Sequence, residues 1–172
     1  LNRQKISRRI ETKAQELNII FDNYTLRSGE FSSETTRVTV GYTSLEDFKF
    51  KIYKSGIIAN LEKLFGGQDV KIGRDEFDKK FIIKTNNEHK IKTIFQNKNI
   101  RNLLEKQKNV NFEISDVKGI WEGKLPENQF ELSFYEDGKI KDIERLKLLL
   151  NLFKEFVDEL LVLKIIIFFD GN

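Results

Sequence analysis

Asp69 and Lys71, two apart in "DVK", copy the Asp-x-Lys element of metal-dependent nucleases, and Asp47 lies upstream at the start of another apolar stretch. Two carboxylates and a lysine can hold Mg²⁺ and polarise a water for attack on a phosphodiester. With 30 Lys and Arg and 27 Asp and Glu in 172 residues, however, the triplet arises readily by chance. A denser cluster follows at once in "GRDEFDKKF", residues 73–81. Asp75, Glu76 and Asp78 are hard oxygen donors of the kind divalent cations take. They are equally the residues that hold turns, because Asp accepts hydrogen bonds from nearby backbone N–H groups. Phe77 and Phe81, four apart, can then both point into a core, with Arg74, Lys79 and Arg101 as counter-charges. The structural role is preferred, so no catalytic residue, metal ligand or cofactor is assigned.

Other chemistries find less support. There is no cysteine, which removes thiolate nucleophiles, disulfides and cysteine metal sites together. The single histidine, His89, lies at the start of a polar helical segment and reads as a surface residue. "FGGQD" is no phosphate loop, since no Gly-Lys-Ser/Thr follows. No nucleophile-elbow motif occurs. Trp121, in "GIWEG", reads as a half-buried strand residue, and no aromatic RNA-binding signature marks a dedicated nucleic-acid module.

Composition fits one globular domain: 39% apolar, 33% charged, with 15 phenylalanines for a core. Charge is uneven along the chain. Residues 49–108 hold fifteen basic and seven acidic side chains, whereas residues 109–172 hold eight and thirteen. The middle segment therefore offers a candidate basic surface of Lys49, Lys51, Lys84, Lys90, Lys92 and Lys98, suited to an anionic membrane surface. No run reaches the ~18 apolar residues of a spanning helix. The absence of methionine, even at position 1, leads to the expectation that the chain is a trimmed piece of a longer protein.

These residues need elements to position them. "SRRIETKAQELNIIF" (7–21) predicts an amphipathic helix, with Ile10, Ala14 and Leu17 on one face after a Ser7 cap. "FDNYTLRSGEF", "TRVTVGYT" and "DFKFKIYK" predict strands by alternation. "SGIIANLEKLFGG" predicts a short helix stopped by glycine. "QDVKIG" and "KKFIIK" predict strands on either side of a turn at "RDEF". Thr85 with Glu88 has capping-box spacing for a helix burying Ile91, Ile94 and Phe95. A second turn of helix carries Ile100, Leu103 and Leu104. "VNFEISDV", "GIWEGKL" and "NQFELSFYEDG" predict two or three antiparallel strands. The final segment predicts a long helix with Ile143, Leu146, Leu150, Phe153, Val157 and Leu160 inward. The apolar end of that segment offers a surface for homo-oligomers.

The motif Gly73, Asp75, Phe77, Asp78, Phe81 and Ile83, followed by Phe95, Arg101, Leu103 and Leu104, resembles a soluble domain found in uncharacterised bacterial membrane-linked proteins. The ends "RRIETKAQELNI" and "RLKLLLNLFKEFVDEL" fit the same pattern, so the likeness spans nearly the whole chain. Arg74 departs from it, where the motif has an acidic residue after Gly. The resemblance implies no catalytic residues; it implies a place beside transmembrane segments.

The expectation is one α+β domain over residues 1–172: an antiparallel sheet, about four helices, and the last helix packed on the sheet. Its expected role is non-catalytic binding or scaffolding, at an anionic membrane surface or on a protein partner, in the cytoplasm or at the cytoplasmic face of the membrane. The alternatives are a metal-dependent phosphodiester hydrolase using Asp47, Asp69 and Lys71, and a soluble oligomerising domain.

Overall fold

A computed structural model describes residues 3–28, 30–56, 69–117 and 123–167. It contains one antiparallel sheet of seven strands, in the order β1-β2-β3-β7-β6-β4-β5. The strands are β1 (Arg3–Ala14), β2 (Leu17–Ser28), β3 (Phe31–Thr43), β4 (Phe50–Lys54), β5 (Phe81–Thr85), β6 (Asn111–Ser115) and β7 (Gln129–Asp137). Among the described residues there are four helices: α1 (Asp75–Lys80), α2 (Glu88–Ile94), α3 (Lys98–Glu105) and α4 (Ile143–Val162). The α+β expectation holds, and so does the long last helix against the sheet.

Strand alternation makes the sheet two-faced. On one face a row of apolar side chains crosses every strand in register: Ile83, Ile52, Phe112, Phe134, Val38, Phe21 and Ile10. The helices cover most of this face. Phe156 of α4 lies 5.2 Å from Phe50 and 5.0 Å from Phe112 between ring centres, and Phe153 lies 5.4 Å from Phe112. These separations suit edge-to-face and offset packing. Phe77 of α1 joins the same cluster through Phe81, at 4.5 Å, and Phe95, at 5.5 Å.

Helix starts follow the side chains that can accept their free N–H groups. Asp142 accepts from the N–H of Glu144 and Arg145 to start α4, and Asn97 does so for α3. Arg145 then forks onto Glu136 of β7, which fixes the first turn of α4 over the sheet.

Several local expectations are corrected. Residues 7–21 form no helix: they are the β1–β2 hairpin, joined at Gln15 and Glu16. Ile10, Thr12 and Ala14 also alternate, and pairing with β2 along eleven positions outweighs the marginal stability of an isolated helix. Ser7 lies within β1, where the register shifts between Ile6 and Arg8, rather than at a helix start. Residues 69–72 are extended but form no strand, bonding β5 through the Val70 N–H to the Ile83 carbonyl. "RDEF" does not turn; it enters α1, because Asp78 gathers the preceding backbone N–H groups. Asn87, not Thr85, caps α2, and the Thr85 hydroxyl donates to the Lys49 carbonyl instead. The inward face of α4 is rotated: Leu149, Leu152 and Phe156 join Phe153, Val157 and Leu160, while Ile143 is exposed. The helix expected at "SGIIANLEKLFGG" and the strand at "GIWEGKL", Trp121 included, fall mostly outside the described residues.

Phe156 is fully buried among Phe50, Phe95 and Phe112. Phe156→Ala should lower unfolding stability by about 3–5 kcal/mol, measured by urea denaturation. A loss below ~1 kcal/mol would mean that the aromatic cluster does not hold helix to sheet.

Candidate functional site

The "GRDEFDKKF" segment is a closed structural unit. The Asp78 carboxylate accepts from the backbone N–H groups of Ile72, Gly73 and Arg74, each at 3.0 Å. Gly73 sits at φ 78°, where a side chain would strain the turn. Lys71 donates to the Asp78 carbonyl at 3.1 Å. Asp75 and Glu76 occupy the first turn of α1, and Glu76 pairs with Lys79. Phe77 and Phe81 are buried. Arg101 is not paired with these acids; its guanidinium donates to the Phe95 and Gln96 carbonyls at the end of α2.

The three residues of the hydrolase alternative have separate partners. Asp47 pairs with Lys49, Asp69 with Lys84, and Lys71 with the Asp78 carbonyl. Among the described residues no group of three or more potential metal ligands converges.

Five of the six lysines of the expected basic surface also face carboxylates. Lys49 bridges Asp47 and Asp116, Lys51 meets Glu113 at 2.7 Å, Lys84 meets Asp69, Lys90 meets Glu46, and Lys92 meets Glu88. Burial would lower the Lys49 ammonium, but hydrogen bonds to Asp47 and Asp116 outweigh it and hold its pKa above the ordinary value. Lys98 stands at the first position of α3, away from the Lys51–Lys84 strand pair. His89 is exposed on α2. The apolar C-terminal stretch folds back on its own core: Ile165 and Ile166 are buried, and the Ile167 N–H bonds the Thr43 carbonyl.

Two arrangements have no counterpart in the sequence reading. The first lies on the sheet face away from the helices. Register places Asp22 between Arg9 and Arg37. Arg37 donates to Asp22 at 2.7 Å and Arg9 at 2.9 Å, and the Arg37 guanidinium stands 5.5 Å from the centre of the Tyr24 ring. Asp22 is wholly buried and Arg37 nearly so. Burial alone would raise the Asp22 carboxyl, but hydrogen bonds from Arg9 and Arg37, with their charges, hold it below the usual carboxylate range.

The second is a groove of about 510 Å³ on the helix face, between β1, β2 and the start of α4. Ile10, Phe21, Ile140, Ile143 and Leu146 give it an apolar lining, with Lys139 and Lys141 beside them. The Thr36 hydroxyl accepts from the Ile140 N–H and lies 2.8 Å from the Gly138 carbonyl, so the 138–140 turn is fixed against β3. Ile10 is 60% exposed and Ile143 is 66% exposed across this groove. The signal available in the sequence is Ile10 itself, but helical spacing puts it on the apolar face of an amphipathic helix.

No helix among the described residues is long and apolar enough to cross a membrane. No family model, no curated protein and no solved structure matches the chain.

Two expectations follow from the carboxylates. Asp78→Ala removes the acceptor of three backbone N–H groups and should cost about 1–2 kcal/mol, as a lost cap does. Asp75→Ala should stay within about 0.5 kcal/mol. Equal losses from the two in urea melts would show that the Asp78 bonds do not hold the loop. Asp22→Asn leaves Arg37 buried without its counter-charge and should cost about 3–5 kcal/mol at neutral pH. Because the folded Asp22 pKa is depressed, its stabilisation is present at neutral pH and is lost as pH falls through that folded value, below about 4. Urea melts at neutral and strongly acid pH should therefore show a gap between wild type and Asp22→Asn that narrows in acid; a constant gap would refute the charge account.

Proposed function

We propose that this chain is a non-catalytic binding domain whose partner is a protein, engaged through the groove between β1 and the start of α4. One observation carries the reading: Ile10 and Ile143 face solvent across an apolar floor of Phe21, Ile140 and Leu146. Exposed apolar surface beside charged groups is the usual mark of a site that another molecule covers. The turn at Gly138 and the Arg145–Glu136 fork fix the groove walls, so little ordering is required on binding.

The hydrolase alternative is disfavoured because Asp47, Asp69 and Lys71 are engaged with three different partners. An anionic membrane surface is disfavoured as the main partner because five of the six lysines proposed to face it are already paired with carboxylates. The resemblance to domains of membrane-linked bacterial proteins is compatible with a protein partner that itself sits at a membrane.

Purified protein with Mg²⁺ or Mn²⁺ should leave DNA and RNA intact. Flotation should recover it equally poorly with anionic and neutral vesicles. Cleavage that disappears in Asp69→Ala and Lys71→Ala would replace the binding reading with the hydrolase. Salt-sensitive recovery with anionic vesicles alone would replace the protein partner with lipid.

A further inference from the structure

We infer that the outer edge of β1 takes up an extended, acid-rich segment of another protein as an eighth strand of the sheet. This rests on the reading of the chain as a protein-binding domain and names the kind of partner.

The two edges of the sheet differ. At the β5 edge the strand is five residues long, and Val70 already bonds to it through the Ile83 carbonyl. The β1 edge is twelve residues long, and among the described residues no strand pairs with its outer side. A long edge carries a row of backbone N–H and C=O groups ready to pair with another chain. Residues 9–11 and 13 of this edge are exposed.

Side chains continue the argument. The apolar row that crosses all seven strands ends at Ile10, which is more than half exposed. An apolar residue opposite Ile10 on an added strand would lengthen that row on the same sheet face as the groove, which Ile10 shares with Ile143 and Leu146. Affinity would come from main-chain bonds and selectivity from alternate side chains, as in other cases of strand addition.

Charge decides the occupant. β1 carries five basic residues and one acidic one. Lys141 adds another cation at the groove, while Lys139 beside it meets Glu34 at 2.6 Å. A second copy of β1 would bring like charges together, which destabilises cross-strand neighbours. Arg9 is held by Asp22, so an added strand with an acidic residue towards Lys13 and an apolar residue beside Ile10 satisfies both faces at once.

The probe is a short fluorescein-labelled peptide of alternating Glu and Val, followed by fluorescence anisotropy with the whole chain. It should bind, and added salt should weaken it, since the attraction is between exposed charges. A peptide of alternating Lys and Val should not bind. Ile10→Glu and Ile143→Glu change exposed positions and should keep the wild-type melting curve. Each should weaken the Glu-Val peptide by about tenfold, the effect of losing one buried apolar contact. Hydrogen exchange should slow in β1 when the peptide is present. Failure of the Glu-Val peptide to bind overturns the inference, as does equal binding of the Lys-Val peptide, or undiminished binding by Ile10→Glu. A concentration-dependent dimer abolished by Ile10→Glu would make a second copy the occupant and overturn it too. Absent peptide binding with intact DNA and RNA sinks only the edge-strand inference; cleavage of nucleic acid sinks the binding reading beneath it.

Discussion

Phe156 on Phe50 and Phe112 is the contact around which the rest of the molecule is arranged. It joins the longest helix to the middle of the shorter half of the sheet, where β4 and β6 meet. Once it forms, α4 must run across the helix face, and Phe153 and Phe95 close the ring cluster from the helix side. Phe77 and Phe81 extend the same apolar mass to the β5 edge. The motif that looked most like chemistry thus serves packing. Its acidic residue Asp78 organises the backbone so that its phenylalanines reach the core.

The same packing explains what is left open. Helices α1 to α3 come from the chain between β4 and β6, so they lie over the β4–β5–β6 half of the sheet. The β1–β2 hairpin is at the other end of the strand order, and among the described residues α4 is the helix that contributes cover there. Gln15 reaches Asp158 on α4, but Ile10 remains exposed beside the first turn of that helix. The groove is therefore a consequence of topology.

On the opposite face, polarity is organised by register. Asp22 meets Arg9 on one side and Arg37 on the other. Lys51 meets Glu113 across one strand boundary and Lys84 across the next, and Lys84 in turn meets Asp69. A segment that is strongly basic along the chain therefore does not become a bare basic surface. Its counter-charges come from residues far away in sequence. A buried Asp held by two arginines is also costly to break, because removing one charge leaves the others desolvated.

Alternation and helical spacing determined a good deal without any structure. β3 to β7 and the second half of β2 each showed their β-branched or aromatic pattern, the last helix was legible from its apolar stripe, and the α+β class followed from their order. The phenylalanines of the motif were identifiable as core residues because polar turns rarely carry two. Local signals failed where tertiary pairing decides. "SRRIETKAQELNIIF" satisfies both a helical and an alternating pattern, and its turn at Gln15 and Glu16 has no Gly or Asn to announce a hairpin. Only a neighbouring strand selects between the two, and that choice puts Ile10 at an exposed edge instead of on the apolar face of a helix. The face of α4 was rotated for a similar reason: a stripe of apolar residues this wide allows several orientations, and the Arg145–Glu136 fork with the Phe156 contact selects one. Which charges neutralise each other was beyond the sequence altogether, since Asp22 finds Arg9 and Arg37 through strand register rather than spacing along the chain.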